Sequence, residues 1–355
     1  MMWGIAYLNY AGLAPLRARA ALAGWFPWEI AGNAILPRLV RRQLAVRESV
    51  AGWLGVEERN VAFLGSTTAA LTAVAHSIDW CEGDVVLYPR DDFAANVFPW
   101  TDLSRRGVTA MPVDDWSVEW PPRTRLVAIS TVDYSTGDER PWREVCARAR
   151  ARGAWTCVDA VQSAGIKPSR TDDVDFWAAG TQKWLASGLG LGLLVVHDRA
   201  LRSLEGPWRT YLGAADPRRP GSPPADSARR WELGWVTPTA LFRFQAMLAC
   251  FSAIGWERVS AAVRERRDRL HEALLEIGYH VVSSPTAWSG IVSIDPAPHS
   301  SAALVAEGYR RRIITAERGL NVRLSAHLFT MAHEIDRTVD WLWQARSQAD
   351  GGVDR

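Results

Sequence analysis

The stretch AAGTQKWLASGLGLG, residues 178–192, holds one charged side chain, Lys183, between a Gly-Thr-Gln step and a glycine-rich run. Of the 41 basic residues in the chain, only this one and Lys167 are lysines. An arginine cannot give up its proton in any useful pH range. A lysine amine, with an ordinary pKa of about 10.4, becomes neutral and nucleophilic when burial or a nearby cation lowers that value. An uncharged setting, with glycines that let the backbone approach a ligand, therefore suggests a Schiff-base lysine. The alternative is a solvated lysine on a turn.

The surroundings decide the fold. Apolar runs at 61–65, 84–89, 108–113, 125–131, 154–160, 174–180 and 191–197 alternate with helical patterns, one capped by Ser66-Thr67-Thr68 and another opened by Pro141. Continuously apolar strands between helices predict an α/β fold with a mostly parallel sheet covered on both faces. Residues 205–230 hold five prolines and little apolar material and read as irregular chain. Helices are expected at 238–254, 256–277, 300–308 and 332–346, with short strands near 279–283, 290–294 and 321–325. These form an α+β unit of about 100 residues.

Upstream of the lysine, TCVDAVQSAG (156–165) puts Asp159 where a buried strand ends. In an open parallel sheet that edge is where ligands bind. An aspartate there can keep the ring nitrogen of pyridoxal phosphate (PLP) protonated, which makes the ring an electron sink. Gln162 can reach a neighbouring ring substituent such as the phenolic oxygen. For Asp159 taken alone, a helix N-cap is the competing explanation.

Residues 130–196, from STVDYSTGDERPW through TCVDAVQSAG to GTQKWLASGLGLGLLVV, resemble the core of the class V aminotransferase family. The order is strand–Asp-x-x-Gln, helix, strand, then Lys-Trp and Gly-x-Gly. The resemblance implies a fold-type-I PLP-dependent transferase, with a large domain on a mostly parallel sheet and a smaller α+β C-terminal domain. On that reading 1–15 is an N-terminal arm, 16–240 the large domain, 241–346 the small domain and 347–355 a frayed tail. Lys183 becomes the Schiff-base lysine, flanked by Thr181 and Gln182 at the cofactor. Thr67 and Thr68, in FLGSTTAALTAVA (63–75), become phosphate donors at a helix N-terminus, which favours anions. Phe93, in DDFAANVFPW (91–100), becomes the ring over the cofactor. Arg323, in NVRLSAHLF (321–329), becomes the fork for a substrate α-carboxylate, and Asn9, in YLNYAGLAPL (7–16), stands near the substrate. The family usually forms homodimers.

The chain departs from the family at several of these places. Phe93 and Gln182 stand where histidine is frequent, and Ala69 where glutamate is common. Trp235 stands where many members have a threonine that reaches the partner's phosphate, with Thr237 a candidate to compensate. The interval ITAERGLNV (314–322) holds neither the cysteine nor the room that desulfurases need. The expectation is a PLP enzyme acting on an α-amino acid or amino-acid conjugate, first an aminotransferase. The alternatives are a C–S or other β-eliminating lyase, an epimerase or a decarboxylative deaminase of specialised metabolism, and, from another class, a non-catalytic PLP-binding protein.

Bulk properties narrow the field. The net charge of +2 with interspersed signs gives no footprint for nucleic acid. No uninterrupted apolar run reaches membrane-spanning length. The N-terminus lacks a signal-peptide pattern. Cysteines 81, 146, 157 and 250 have neither metal-ligand nor CxxC spacing, so no metal is expected and the compartment reads as reducing and cytoplasmic. Nineteen tryptophans read mainly as core or interface filling. A few, such as Trp25 and Trp28, are candidate walls for a bulky substrate.

Overall fold

The computed structural model describes residues 4–24, 32–167 and 171–350. Trp25 and Trp28 lie outside them. The strands β2 (Val61–Leu64), β3 (Val85–Pro89), β4 (Thr109–Val113), β5 (Thr124–Ser130), β6 (Trp155–Asp159), β7 (Phe176–Gly180) and β8 (Gly192–Val196) form one sheet in the order β2-β8-β7-β6-β5-β3-β4. Neighbours from β4 through β7 pair in parallel, whereas β8 pairs antiparallel with both β7 and β2. Six strands thus end on one edge, and β8 begins there.

Apolar side chains cover both faces. Phe63, Val127, Val158, Trp177 and Leu193 enter one core; their chain neighbours Ala62, Leu126, Cys157, Phe176 and Leu194 enter the other. The period of two is present, but both phases are hydrophobic, which is why the strands read as unbroken apolar runs. Helix α3 (Thr67–Ser77) lies in the second core through Ala70, Leu71 and Val74. Helices α2 (Leu36–Leu54), α5 (Trp142–Ala151) and α7 (Pro238–Ile254) are among those that cover the first face.

Helix α2 lies outside the stretch in which alternating strands and helices were expected. It buries Leu39, Gln43, Val46, Arg47, Val50 and Leu54, a spacing of three and four, and stops at Gly55 in the left-handed region. Arg47 is buried against Glu232 at 2.8 Å, and the same carboxylate accepts the Phe63 N–H at 2.9 Å.

After α7 the chain bends into α8 (Trp256–Glu276). Strands β9 (Ile291–Ile294), β11 (Ala316–Arg318) and β12 (Asn321–Ser325) form a three-stranded antiparallel sheet with α9 (Ser301–Arg310) and α10 (Ala332–Asp350). Its core gathers Leu270, Leu274, Val292, Leu324 and Leu342, together with Ala6 and Leu8 from the other end of the chain. The N-terminal strand β1 (Ala6–Tyr7) pairs in parallel with β10 (Ile313–Ile314), so the arm is stitched into the C-terminal unit. The strand expected near 279–283 is reduced to one bridge, Val281 to Ile294, and beyond it Ser283 and Ser284 also bond to Thr136 and Asp138. Helix α10 runs to Asp350, four residues into the stretch expected to fray; residues 351–355 lie outside the described residues.

Many of the described tryptophans fill the interior, although Trp235 and Trp343 are exposed. Trp100, Trp177, Trp184 and Trp231 are almost wholly buried, and Trp53 stacks on Trp256 with ring centroids 4.7 Å apart.

Gly192, the first residue of β8, lies against the loop that opens α3. A Cβ there would meet the Ser66 carbonyl carbon and oxygen at 2.4 Å, and neither is a movable side chain. Gly192→Ala is expected to cost about 1–3 kcal/mol by overpacking. Gly52→Ala, inside α2 with nothing within 4 Å of the new methyl, should instead stabilise by about 0.5–1 kcal/mol. Urea unfolding of the two variants should show midpoints shifted in opposite directions.

Candidate active site

The sheet edge on which six strands end collects the chemistry. Ser66, Thr67 and Thr68 follow β2, Phe93 follows β3 and Tyr134 follows β5. Asp159 ends β6, and Gln182 and Lys183 follow β7. With Ala11 and Gly12 from the arm and Arg318 and Arg323 from the small sheet, these residues line one cavity of about 200 Å³.

Lys183 sits in a tight turn. The Ala186 N–H donates to the Lys183 carbonyl at 3.0 Å, the Ser187 N–H to that of Thr181 at 3.1 Å, and Ala186 takes a left-handed φ of 48°. Burial pulls the Lys183 amine down from the usual lysine range to about 8; the Asp159 carboxylate opposes that shift, and Arg323 and Arg318 add to it. Asp159 moves the other way. Burial raises its pKa, the nearby Asp92 carboxylate adds to the rise, and the Val161 N–H, donating at 2.9 Å, and Lys183 hold it down. Asp92 in turn accepts from the Ser130 hydroxyl at 2.6 Å, the Asn96 amide at 2.9 Å and the Phe93 N–H at 2.8 Å.

At the start of α3 the Ser66 hydroxyl accepts from the Ala69 N–H at 3.1 Å. The amides of Thr67 and Thr68 stand in the first turn, where a helix leaves its donors without intrahelical partners. The Thr67 Oγ1 is buried with no hydrogen-bond partner among the described residues. A buried hydroxyl without a partner costs free energy. Beside a helix N-terminus it fits an anionic ligand such as a phosphate.

Phe93, 46 % exposed, forms the solvent-facing wall. Its ring centroid lies 5.6 Å from Lys183 Nζ and 5.4 Å from the Tyr134 ring. Arg323 is fully buried, yet no carboxylate among the described residues lies within ion-pair distance of it. One of its nitrogens donates to the Tyr134 carbonyl at 2.6 Å, another to Asn9 Oδ1 at 3.2 Å, and its Nε is unpartnered. Burial and the neighbouring Arg318 lower its pKa to about 9.

Gln162 lines the cavity with its amide already engaged, Nε2 donating to the Ala11 carbonyl at 3.1 Å and Oε1 accepting from Trp184 Nε1 at 2.9 Å. Thr181 does not line it: its hydroxyl donates to the Leu191 carbonyl at 3.2 Å and closes the turn that carries the lysine. Asn9 acts one step back, through Arg323. Thr237 caps α7, accepting from the Ala240 N–H at 3.4 Å.

Two residues were given no role by the sequence reading, although one of them, His327, stood in the Arg-x-Ser-x-His pattern. His327 is fully buried and donates from Nε2 to the Trp184 carbonyl at 2.9 Å, while its Nδ1 accepts from the Phe329 N–H at 3.3 Å. Burial lowers its pKa to about 4, so it is a neutral strut between the arginine strand and the lysine turn. Arg318 also went unread. Strands β11 and β12 turn on two residues, Gly319 and Leu320, and pair Arg318 with Asn321 and Ala316 with Arg323. Paired residues share a face, and so do positions two apart, so Arg318 and Arg323 look the same way. The signal was the RGLNVR spacing.

The charge balance makes the amine testable. In cofactor-free protein Lys183 should become reactive toward an amine-modifying reagent as pH rises through about 8. Asp159→Asn removes the anion that holds the proton on and should move that midpoint down; Arg323→Gln removes a competing cation and should move it up. Peptide mass spectrometry of Lys183 labelling against pH checks both signs.

The profile of the family Aminotransferase class-V matches residues 39–328. Isopenicillin N epimerase of Streptomyces clavuligerus is 28% identical over 335 residues, covering 83% of this chain and 82% of that protein. A probable cysteine desulfurase of Methanothermobacter thermautotrophicus is 26% identical over 331 residues, covering 84% and 82%. A solved structure of C-DES with glycine covalently linked to its PLP cofactor superposes with a TM-score of 0.90 at 21% identity, covering 96% of this chain and 97% of that one. Asp159, Lys183 and the unpartnered Thr67 hydroxyl suit the ring nitrogen, aldehyde and phosphate of that cofactor, and the chain belongs to the class V aminotransferases, the PLP-dependent enzymes of this fold.

Proposed function

We propose that the protein is an aminotransferase acting on an α-amino acid, with Lys183 as the catalytic residue. The observation that carries this is one cavity holding a lysine amine lowered to about 8, a buried aspartate and a buried arginine without a carboxylate partner. The cofactor, when bound, supplies the aldehyde that condenses with an amine and the ring that withdraws electrons from Cα.

The rest is work for this chain's residues. Asp159 holds a proton at the ring nitrogen. Thr67, Thr68 and the start of α3 hold the phosphate, with Gln182 beside them. Phe93 forms a wall against solvent. Arg323, oriented by Asn9 and the Tyr134 carbonyl, takes the substrate carboxylate with its paired donors. With the cofactor and substrate bound, the free Lys183 amine would be the group placed to take the proton from Cα and to return it, as general base and then acid.

Two observations weigh against two of the other outcomes. The wall opposite Lys183 is a phenyl ring that carries no proton, so the lysine face is supplied for proton transfer while the Phe93 face is not, which weighs against a two-base epimerase. No cysteine among the described residues lines the cavity, and the tight β11–β12 hairpin has none, which weighs against desulfuration. The four free cysteines suit a cytoplasmic protein.

The same reading makes the active form a homodimer. Leu36, Val40 and Leu44 form an exposed stripe on α2 and share a groove with Tyr211 and Trp235. A stripe with that spacing on an outer helix calls for a partner.

The holoprotein should show a visible-range absorption band that borohydride abolishes, with the label on Lys183, and Lys183→Ala should lack the band. Pyridoxamine phosphate should accumulate with an amino donor, whereas keto acid plus ammonia would make the protein a lyase. Arg323→Leu should raise KM for the amino acid about 10- to 100-fold, the worth of hydrogen bonds to a charged group, and leave the band in place. Separately, Val40→Asp with Leu44→Asp should yield monomers by light scattering.

A further inference from the structure

The geometry points to a second substrate-binding arginine, Arg318, and so to an amino acid whose side chain ends in an anionic group. This rests on the PLP reading above and adds the substrate class. The register of the β11–β12 hairpin places Arg318 diagonally across from Arg323 on one face, and both side chains line the cavity that contains Lys183.

Arg318 is not consumed by the fold. No carboxylate among the described residues pairs with it, and its buried Nε is without a partner. Its guanidinium donates to the carbonyl of its own neighbour, Glu317, at 2.6 Å. The Glu317 carboxylate is turned away to the Ser301 hydroxyl at 2.9 Å.

The cavity therefore carries three cations, Lys183, Arg318 and Arg323, and one lining carboxylate, Asp159, which is assigned to the ring nitrogen. The cofactor phosphate has its own place at the start of α3. One α-carboxylate satisfies Arg323. A second guanidinium facing the same space is matched by a second acid on the substrate, and a guanidinium fork suits carboxylates and phosphates alike. An uncharged side chain of the same length would leave Arg318 partly buried and unpaired, which selects against it.

The test uses holoenzyme and follows the cofactor band during titration with matched pairs. L-aspartate, L-glutamate and L-2-aminoadipate are set against L-2-aminobutyrate, L-norvaline and L-norleucine, with O-phospho-L-serine as the phosphate member. At least one acidic member should bind about ten-fold or more tightly than its uncharged counterpart, as expected for a charged hydrogen-bonded pair. Arg318→Leu should abolish that preference while changing the uncharged member's Kd less than about two-fold, and Arg318→Lys should restore part of it. Whether the carboxylates or phosphoserine show the larger effect names the anion. The inference is overturned if matched pairs bind alike, if no member binds, or if Arg318→Leu weakens both members equally, which would assign Arg318 to the α-carboxylate. Loss of cofactor from Arg318→Leu would assign it to the phosphate and overturn it as well. Absence of a borohydride-sensitive band in the wild type would sink the parent reading, so the two failures are distinguishable.

Discussion

A lysine amine and an aspartate carboxylate, both buried, line one cavity, and each helps to hold the other's charge there. Burial pushes both toward their neutral forms, lowering the Lys183 pKa and raising that of Asp159, while their mutual attraction opposes each shift. The parallel sheet is what brings them together. Asp159 pairs with Ala178, so the chain leaving β6 and the chain leaving β7 emerge on the same edge, and the turn after β7 carries Lys183 back over that edge. An antiparallel partner for β6 would have sent the lysine to the far end of the sheet. The two-faced core exists to bury this edge, and the site's acid–base character follows from that burial.

Much of this was legible in the sequence because the relevant signals are local. The fully apolar runs gave the strands and put Asp159 at a strand end, and the family resemblance carried by Asp-x-x-Gln and Lys-Trp implied that Asp159, Gln162 and Lys183 meet. Contacts between distant segments were less legible. Strands β1 and β10 are two residues each, too short for any periodicity to show, yet they fix the path of the arm. Thr181 sits beside the lysine in sequence but turns inward to Leu191, because a β-turn needs its hydroxyl more than the cavity does. Arg318 was one arginine among many until the two-residue turn at Gly319 and Leu320 fixed its face. Helix α2 had a clear three-and-four spacing, but its arginines hid it; one of them, Arg47, proves to be a buried partner of Glu232.

The tryptophan load belongs to packing. None of the residues lining the cavity among the described residues is a tryptophan. Trp184 sits under the lysine turn, with its indole N–H on Gln162 and its carbonyl on His327. The ring is a support for the site, and the wall is left to Phe93 and Tyr134.

That support spans the two cores, and so does the arm. Leu8 gives its carbonyl to the Ser325 N–H at 2.7 Å, and Asn9 holds Arg323. A few residues on, Ala11 accepts from Gln162, and the Ala14 N–H donates to the Gln182 carbonyl at 2.8 Å. His327 makes a parallel link from the arginine strand to the lysine turn. Swinging the small sheet away from the large one would break these bonds together, each worth about 1 kcal/mol net and more if a buried partner is left unpaired. These bonds link the strand that carries Arg323 to the turn that carries Lys183, and on the proposed reading they set the spacing between the two cations that a substrate's acid must match.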